Sequence, residues 1–126
     1  MRLLLDTNVF LWWQWSDRRL PAVVRQAIED PASDILVSAA TVWEISIKRK
    51  IGKLDFEGSP VAACLEAGFA LLDVAAAHAE LAGDLPRHHG DPFDRMLVAQ
   101  ARMEGLVLAT RDRQLLLYGV PLLGLD

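Results

Sequence analysis

The sequence predicts an α/β fold of three layers, in which about five parallel strands are flanked by helices. Two observations support this prediction. Short apolar segments alternate with longer amphipathic segments along the chain, which is typical of a parallel sheet covered on both faces. Hydrophobic residues make up 52% of the 126 residues and charged residues 24%, enough apolar material for a folded core. No repeat, low-complexity tract or linker interrupts the chain, so we expect one domain over residues 1–126.

The N-terminal half begins with an apolar strand that Asp6 ends. Pro21 suits the first turn of the second helix, and Asp30-Pro31 ends that helix. Gly52 stops the third helix. The predicted elements, in order, are a strand at 2–5, helices at 7–15 and 20–29, a strand at 35–37 and a helix at 38–51.

The C-terminal half continues the alternation after a loop at 55–60. Pro92 opens a long helix and Gly105 ends it. A loop at 86–90, rich in basic residues, precedes that helix. The predicted elements are a helix at 61–67, a strand at 69–72, helices at 75–82 and 92–104, a strand at 106–109, a helical turn at 115–117 and a last short strand at 120–123.

Composition and charge exclude several classes of protein. The one cysteine, Cys64, allows no internal disulfide and suits a reducing compartment. The apolar start is too short for a signal peptide, and the apolar stretch 61–79 carries charged residues, so we expect a cytoplasmic protein. The formal net charge of −4 disfavours a module that binds nucleic acid by electrostatics alone. If the chain meets RNA, bound divalent cations must offset the repulsion locally.

Four acidic residues stand where an α/β fold binds ligands, beyond the carboxyl ends of the strands. Asp6 ends the first strand, Glu44 lies on the helix after the second, and Asp112 follows the fourth. Asp94 lies at the start of the long helix, which simple alternation would place at the opposite edge of the sheet. We expect the loop before that helix to be long enough to bring Asp94 to the same edge.

Each acid also has a purely structural interpretation. Asp6, Asp91 and Asp112 can cap helices, Thr41-x-x-Glu44 fits a capping box, and Lys48 can pair with Glu44. Glu44 and Asp94 fit this interpretation less well, because each belongs to an apolar stripe. A buried carboxylate costs several kcal/mol unless it is paired, protonated or bound to metal. Carboxylate clusters of this kind select Mg²⁺ or Mn²⁺. The stripes are Ala40, Trp43, Ile47 and Ile51 around Glu44, and Leu97, Val98 and Ala101 after Asp94.

Four sequence blocks carry a resemblance to a known family. In their order and spacing the chain resembles the PIN domain, and more narrowly the VapC toxins of bacterial toxin–antitoxin pairs, over residues 2–123. The blocks are Asp6-Thr7-Asn8, Thr41-Val42-Trp43-Glu44-Ile45, Asp91-Pro92-Phe93-Asp94-Arg95-Met96-Leu97-Val98-Ala99-Gln100-Ala101 and Thr110-Arg111-Asp112.

The resemblance implies a fold, an activity and a set of site residues. The fold is a sheet of about five parallel strands. The activity is hydrolysis of RNA phosphodiester bonds with Mg²⁺ or Mn²⁺, leaving a 5′-phosphate and a 3′-hydroxyl. The partners implied are the RNA substrate and a small antitoxin. The site residues implied are Asp6, Glu44, Asp94 and Asp112 as catalytic metal ligands, with Asn8 and Thr110 in support and Asp91 as helix cap and outer ligand.

Two groups of basic residues are candidates for contact with RNA phosphates. Lys48, Arg49 and Lys50 end the third helix, where they would also stabilise the helix C-terminus. Arg87, His88 and His89 precede the acidic start of the long helix and are otherwise solvated loop residues.

Three tryptophans, Trp12, Trp13 and Trp15, crowd the first helix. Since one stripe cannot bury all three, we expect an exposed aromatic patch, and such patches mark partner surfaces. The resemblance places the antitoxin groove in this region. From the aromatic surface and the resemblance together we also expect a homodimer.

Other functions compete with the toxin ribonuclease. A phosphatase of the haloacid dehalogenase type needs a second acid where Asn8 stands, and a phospho-acceptor receiver domain is matched only faintly by Leu72-Asp73. A PIN-type nuclease of RNA processing and a non-catalytic RNA-binding or scaffold module also remain open.

Overall fold

Five parallel strands form the central sheet in the computed structural model, in the order β3-β2-β1-β4-β5. The structure describes residues 1–125, so Asp126, which the predicted domain includes, lies outside the described residues. The strands are β1 Arg2–Leu5, β2 Asp34–Ser38, β3 Ala70–Leu72, β4 Val107–Ala109 and β5 Leu122–Leu123. The predicted α/β fold with five parallel strands is therefore confirmed.

Helices cover the sheet and connect its strands. The α-helices are α1 Thr7–Gln14, α2 Ala22–Glu29, α3 Ala39–Lys50, α4 Pro60–Glu66, α5 Ala76–Asp84 and α6 Pro92–Glu104. A 3₁₀-helix, Arg113–Tyr118, follows β4. Among residues 1–125, no helix is long and apolar enough to cross a membrane.

Successive residues of the central strand β1 enter different cores. Leu3 and Leu5 pack into an apolar cluster with residues of α1 to α4, and Leu4 packs into a second cluster with residues of α5, α6 and the 3₁₀-helix. Side chains alternate across a strand, so this division shows that both faces of the sheet are covered. The predicted three-layer arrangement follows from it.

The long helix α6 begins at the carboxyl edge of the sheet, and the expectation that alternation would put its start at the opposite edge was wrong. The end of α6 lies at the amino edge, where the Arg2 guanidinium at the start of β1 donates to the Glu104 carbonyl oxygen at 3.0 Å. Two helices, α5 and α6, join β3 to β4, and α6, which leads directly into β4, runs antiparallel to the strands. Its first residues, including Asp94, therefore lie where the strands end.

The buried face of α3 differs from the predicted stripe. Trp43 and Ile51 are 63% and 58% exposed, whereas Thr41 and Glu44 are buried. The reason is a set of polar contacts with α1. The Thr7 hydroxyl donates to Glu44 Oε1 at 2.6 Å, and the Thr41 hydroxyl lies 3.1 Å from that of Thr7. The bond from Thr7 gives the buried Glu44 carboxylate a hydrogen-bond donor, so the face of α3 that carries Thr41 and Glu44 packs against α1.

Candidate active site

One cavity at the carboxyl edge of the sheet collects the predicted acids. Its volume is about 310 Å³. All four predicted catalytic acids contribute to its wall, together with Asp91 and Asn8 from the predicted supporting residues. The full lining is Asp6, Thr7, Asn8, Trp12, Glu44, Lys48, Asp91, Asp94, Arg111 and Asp112.

Asp6 is placed by the end of β1 and the start of α1. Its Oδ1 accepts a hydrogen bond from the Val9 amide at 2.8 Å, which caps α1, and the side chain is buried. Burial raises its pKa from 3.8 to about 6, and the charges of Asp112 and Glu44 add to the rise while the Val9 bond opposes it. The ionised form of Asp6 is therefore disfavoured in the protein alone, and a bound cation would stabilise it.

Glu44 faces the cavity from α3 and has two partners. Thr7 donates to its Oε1, and Lys48 Nζ lies 2.8 Å from its Oε2 one helical turn away. The ion pair between Glu44 and Lys48, which is the purely structural interpretation of this acid, is therefore formed. The pair still leaves both residues on the cavity wall.

Asp91 and Asp94 reach the cavity from the first turn of α6. Asp91 caps the helix, since its Oδ1 accepts from the Phe93 amide at 2.8 Å. The pKa of Asp94 is raised from 3.8 to about 7. Burial is the main cause, followed by the charges of Asp91 and Asp6.

Asp112 enters from the segment after β4. Its Oδ1 accepts from the Gln114 amide at 3.0 Å and caps the 3₁₀-helix. Its own amide donates to the Thr110 hydroxyl at 3.0 Å, and Thr110 is fully buried. Thr110 thus fixes the backbone of Asp112 through this hydrogen bond. Asn8 is exposed and lines the cavity.

Three of the acids cap a helix and also line the cavity. Asp6, Asp91 and Asp112 each use Oδ1 for a helix cap. Each ionised carboxylate has a second oxygen and several lone pairs in total. The capping interpretation therefore accounts for Oδ1 of each acid and not for Oδ2.

His89 joins the acid cluster. The sequence indicated only that its loop could touch the substrate or the catalytic edge, and favoured solvated loop residues. His89 Nε2 lies 2.6 Å from Asp112 Oδ2 and 3.4 Å from Asp94 Oδ2. The side chain is only 12% exposed. No local sequence signal indicates this, because the ring is placed by contacts with distant elements.

The predicted RNA-contacting residues separate into two sets. Lys48 lines the cavity, but Arg49 donates to the carbonyl oxygens of Phe56 and Gly58 at 3.1 and 2.6 Å and so braces the loop after α3. The remaining predicted residues do not line the cavity: Lys50 is exposed at the end of α3, Arg87 lines a neighbouring cavity, and His88 packs edge-to-face on Tyr118.

Arg111 is a cationic residue of the cavity that received no role in the sequence analysis. It lines the cavity from the segment between Thr110 and Asp112, and its guanidinium donates to the Arg19 carbonyl oxygen at 3.2 Å. Its position within the Thr110-Arg111-Asp112 block was the available signal. Lys48 and Arg111 now provide positive charge on the wall of an otherwise acidic cavity.

The expected aromatic patch on α1 was wrong for two of its three tryptophans. Trp12 is buried, lines the acidic cavity and lies under the Arg19 guanidinium at 5.4 Å, while Trp13 packs on Phe69 with ring centroids 6.2 Å apart. Only Trp15 is well exposed, at 43%. Because α1 lies between the sheet and neighbouring helices, it buries more than one stripe.

The most exposed tryptophan lies on α3 instead. Trp43 packs edge-to-face on Phe93 of α6 with ring centroids 5.5 Å apart. The two residues line an apolar cavity of about 450 Å³. We call the lining of this cavity the Trp43 patch; it consists of Ala39, Ala40, Trp43, Val74, Pro92, Phe93 and Met96.

The donor set of the acidic cavity fits a divalent cation. Carboxylate oxygens dominate it, and the raised pKa values of Asp6 and Asp94 reflect negative charge that the protein alone compensates poorly. Among residues 1–125, ligand atoms of His89, Asp94 and Asp112 lie within 4.8 Å of one another. Hard oxygen ligands of this kind suit cations such as Mg²⁺ and Mn²⁺.

The two competing phosphoryl-transfer folds find no support in this geometry. Asn8 stands where a haloacid dehalogenase phosphatase needs its second acid. Asp73, the candidate phospho-acceptor of a receiver domain, is exposed and does not line the acidic cavity.

Comparison with known proteins gives a consistent result. The PIN domain family model matches residues 3–120. Ribonuclease VapC22 of Mycobacterium tuberculosis is 31% identical over 121 residues, which cover 90% of this chain and 88% of the relative.

Solved structures share the fold at lower identity. The crystal structure of VapBC2 from Rickettsia felis, bound to a DNA fragment from its promoter, matches with a TM-score of 0.69 at 16% identity and covers 98% of both chains. The sarcin–ricin loop cleaving toxin VapC20 of Mycobacterium tuberculosis matches with a TM-score of 0.62 at 14% identity, covering 94% of this chain and 95% of that one.

Proposed function

The chain belongs to the PIN domain family, and we propose that it is a Mg²⁺- or Mn²⁺-dependent endoribonuclease, the toxin of a VapBC-type toxin–antitoxin pair. The observation that carries this proposal is the convergence of four carboxylates, from the segments that follow β1, β2 and β4 and from the start of α6, on one cavity. We further propose that residues 1–126 act as one domain, in the cytoplasm.

The acids have distinct roles in the proposed reaction. Asp6 and Asp94 are the main ligands, because burial and neighbouring carboxylates raise the pKa of both side chains, and a cation would stabilise their ionised forms. Asp112 and Glu44 complete the set or orient the attacking water. A divalent cation held by these acids would activate a water near neutral pH and offset charge that builds on the phosphate oxygens.

The other cavity residues position the acids and the substrate. Thr7 and Lys48 fix the two oxygens of Glu44, and Asp91 fixes the first turn of α6 that presents Asp94. Lys48 and Arg111 supply cationic contacts for the phosphates beside the scissile bond, in a cavity whose acids would otherwise repel RNA.

Restraint of the nuclease comes from a separate antitoxin chain. We propose that the antitoxin packs an apolar segment against exposed Trp15 and the accessible edge of Trp12, and reaches an Arg into the acidic cavity. An Arg fork can pair with two carboxylate oxygens and would compete with both cation and RNA phosphate. Trp13 is half-buried against Phe69 and offers less exposed surface than Trp15.

A homodimer is the proposed assembly, and the structure changes the surface that we assign to it. The Trp43 patch, not α1, carries the most exposed aromatic side chain. The patch shares α3 and α6 with the acidic cavity, because Trp43 precedes Glu44 and Phe93 precedes Asp94. Two-fold pairing through the patch would bring two cavities near each other.

A cleavage assay on generic RNA tests the proposed function. The wild-type chain should cleave only with Mg²⁺ or Mn²⁺ and stop on addition of a chelator. Asp6→Asn should remove most activity without unfolding the chain, because the amide keeps an oxygen for the α1 cap while it deletes a ligand charge. The control is Asp55→Asn at an exposed acid, which should cleave as wild type does.

Three results would contradict parts of the proposal. Equal cleavage by Asp6→Asn would remove the ligand assignment. Harmless expression of the folded wild-type chain, with cleavage intact in vitro, would remove the toxin role and leave a PIN-type nuclease of RNA processing. The absence of cation-dependent cleavage would leave a non-catalytic RNA-binding module.

A further inference from the structure

His89 occupies a place in the acid cluster that the ligand roles proposed above leave unexplained. We propose that His89 is a positioning residue, which holds Asp112 in its cation-binding orientation by donating a hydrogen bond from Nε2 and does not itself bind the cation. The inference rests on the proposed function in one respect, since it assumes that the carboxylates hold a divalent cation.

The two ring nitrogens of His89 have different partners, and these partners fix the tautomer. Nδ1 accepts a hydrogen bond from the Asp91 amide at 3.0 Å, so Nδ1 carries no proton. A neutral imidazole has its proton on the other nitrogen. Nε2 therefore donates, and its acceptor is Asp112 Oδ2 at 2.6 Å.

This tautomer also argues against His89 as a cation ligand. Coordination through Nε2 would require the proton to move to Nδ1. There it would face the Asp91 amide, so that two donors would oppose each other across 3.0 Å. The bond to Asp91 would be lost, and Asp91 is the residue that caps α6.

The position of the ring is set by a network outside the acid cluster. The His89 amide donates to Tyr118 Oη at 3.0 Å, and the Tyr118 hydroxyl donates to the Pro86 carbonyl oxygen at 2.8 Å. The Arg95 guanidinium donates to the carbonyl oxygens of Pro86 and Leu85 at 3.0 and 2.9 Å. The loop that carries His89 is thereby tied to α6 and to the 3₁₀-helix.

Asp112 is consequently held at both oxygens. Oδ1 accepts from the Gln114 amide and Oδ2 accepts from His89. Each oxygen keeps a further lone pair for a cation. Hydrogen bonds to ligating groups commonly set their orientation, and loss of such a bond typically lowers metal affinity 10- to 100-fold.

The test measures Mn²⁺ affinity by titration of the full chain. His89→Ala should weaken Mn²⁺ binding about 10-fold or more. His89→Gln, whose side-chain amide can donate from about the place of Nε2, should recover most of the loss. The matched control is His88→Ala, because His88 packs on Tyr118 and does not reach the acids; it should bind Mn²⁺ as wild type does.

A second measurement needs no mutation. Nitrogen-15 NMR of the metal-free wild-type chain distinguishes protonated from bare ring nitrogens. It should show His89 with a protonated Nε2 and a bare Nδ1, and Nε2 should keep its proton after Mg²⁺ is added. Loss of that proton on Mg²⁺ binding would make His89 a ligand and overturn the inference.

The outcomes separate this inference from the proposed function. If the wild-type chain binds Mn²⁺ and His89→Ala binds it within twofold, His89 does not position Asp112, and the nuclease proposal stands. Equal losses in His89→Ala and His89→Gln would also overturn the inference, since the donor would not matter. A wild-type chain that binds no Mn²⁺ would overturn both.

Discussion

The charge on Asp94 should destabilise the metal-free protein at neutral and higher pH. Burial and neighbouring acids raise its pKa from 3.8 to about 7. A carboxyl whose pKa is raised on folding contributes stability below the unfolded pKa, and this stability is lost as the pH rises through the folded pKa. The window for Asp94 therefore runs from about pH 4 to about pH 7.

The size of the effect follows from the same pKa values. A rise of about three pKa units, at about 1.4 kcal/mol each, corresponds to about 4 kcal/mol at pH 8. Asp94→Asn keeps the shape of the side chain but cannot ionise. In chelator, we therefore expect this variant to be about 4 kcal/mol more stable than wild type at pH 8, and only about 0.5 kcal/mol more stable at pH 4.

Urea unfolding at pH 4 and pH 8, in the presence of chelator, measures both differences. Asp55→Asn, at an exposed acid outside the cavity, is the control and should follow wild type at both pH values. Addition of Mn²⁺ at pH 8 should raise the stability of wild type by ligand linkage and leave Asp94→Asn nearly unchanged. Equal stability of the two chains at pH 8 would refute the argument that ionised Asp94 strains the fold.

Three further substitutions test other parts of the structure. Trp43→Ser should shift a homodimer toward monomer in sedimentation at micromolar concentration, and an unchanged dimer would place the interface elsewhere. Arg111→Ala should weaken RNA binding and lower the slope of its salt dependence by about one, without affecting Mn²⁺ affinity. Gly124→Ala should lower the free energy of unfolding by about 1–3 kcal/mol, because Gly124 has a φ of +118° and an added Cβ would lie 2.8 Å from the Thr110 carbonyl oxygen. Wild-type stability of Gly124→Ala would show that this segment relaxes freely.

Sequence reasoning was most successful where the signal was local. Each strand is a short, mainly apolar run. Asp6 directly follows β1, and Asp112 stands three residues after the end of β4. Asp91 precedes a proline at the first helical position, which marks a helix start in any context. Asp6 and Asp112 could be placed at the carboxyl edge because parallel strands all end there.

The errors arose where a residue's environment depends on a distant element. The inward face of α3 is decided by Thr7 of α1, which hydrogen-bonds Glu44, and hydrophobic periodicity alone pointed to Trp43. The place of His89 is decided by Tyr118, 29 residues later. The wrong edge assigned to the start of α6 had a different origin. A helix that leads directly into a parallel strand ends at the amino edge of the sheet and so begins at the carboxyl edge, and this rule was not applied.

The caps formed by Asp6, Asp91 and Asp112 have a consequence for descendants of this chain that lose catalysis. An acceptor at these positions remains useful to folding, and replacement of a cap by an apolar residue costs about 0.5–2 kcal/mol. Selection for stability alone would therefore preserve Asp, or admit Asn and Ser, long after activity had gone. Asp94 caps nothing and its charge is a burden on the fold, so an apolar or amide residue at position 94 would be the earlier genetic mark of an inactive lineage.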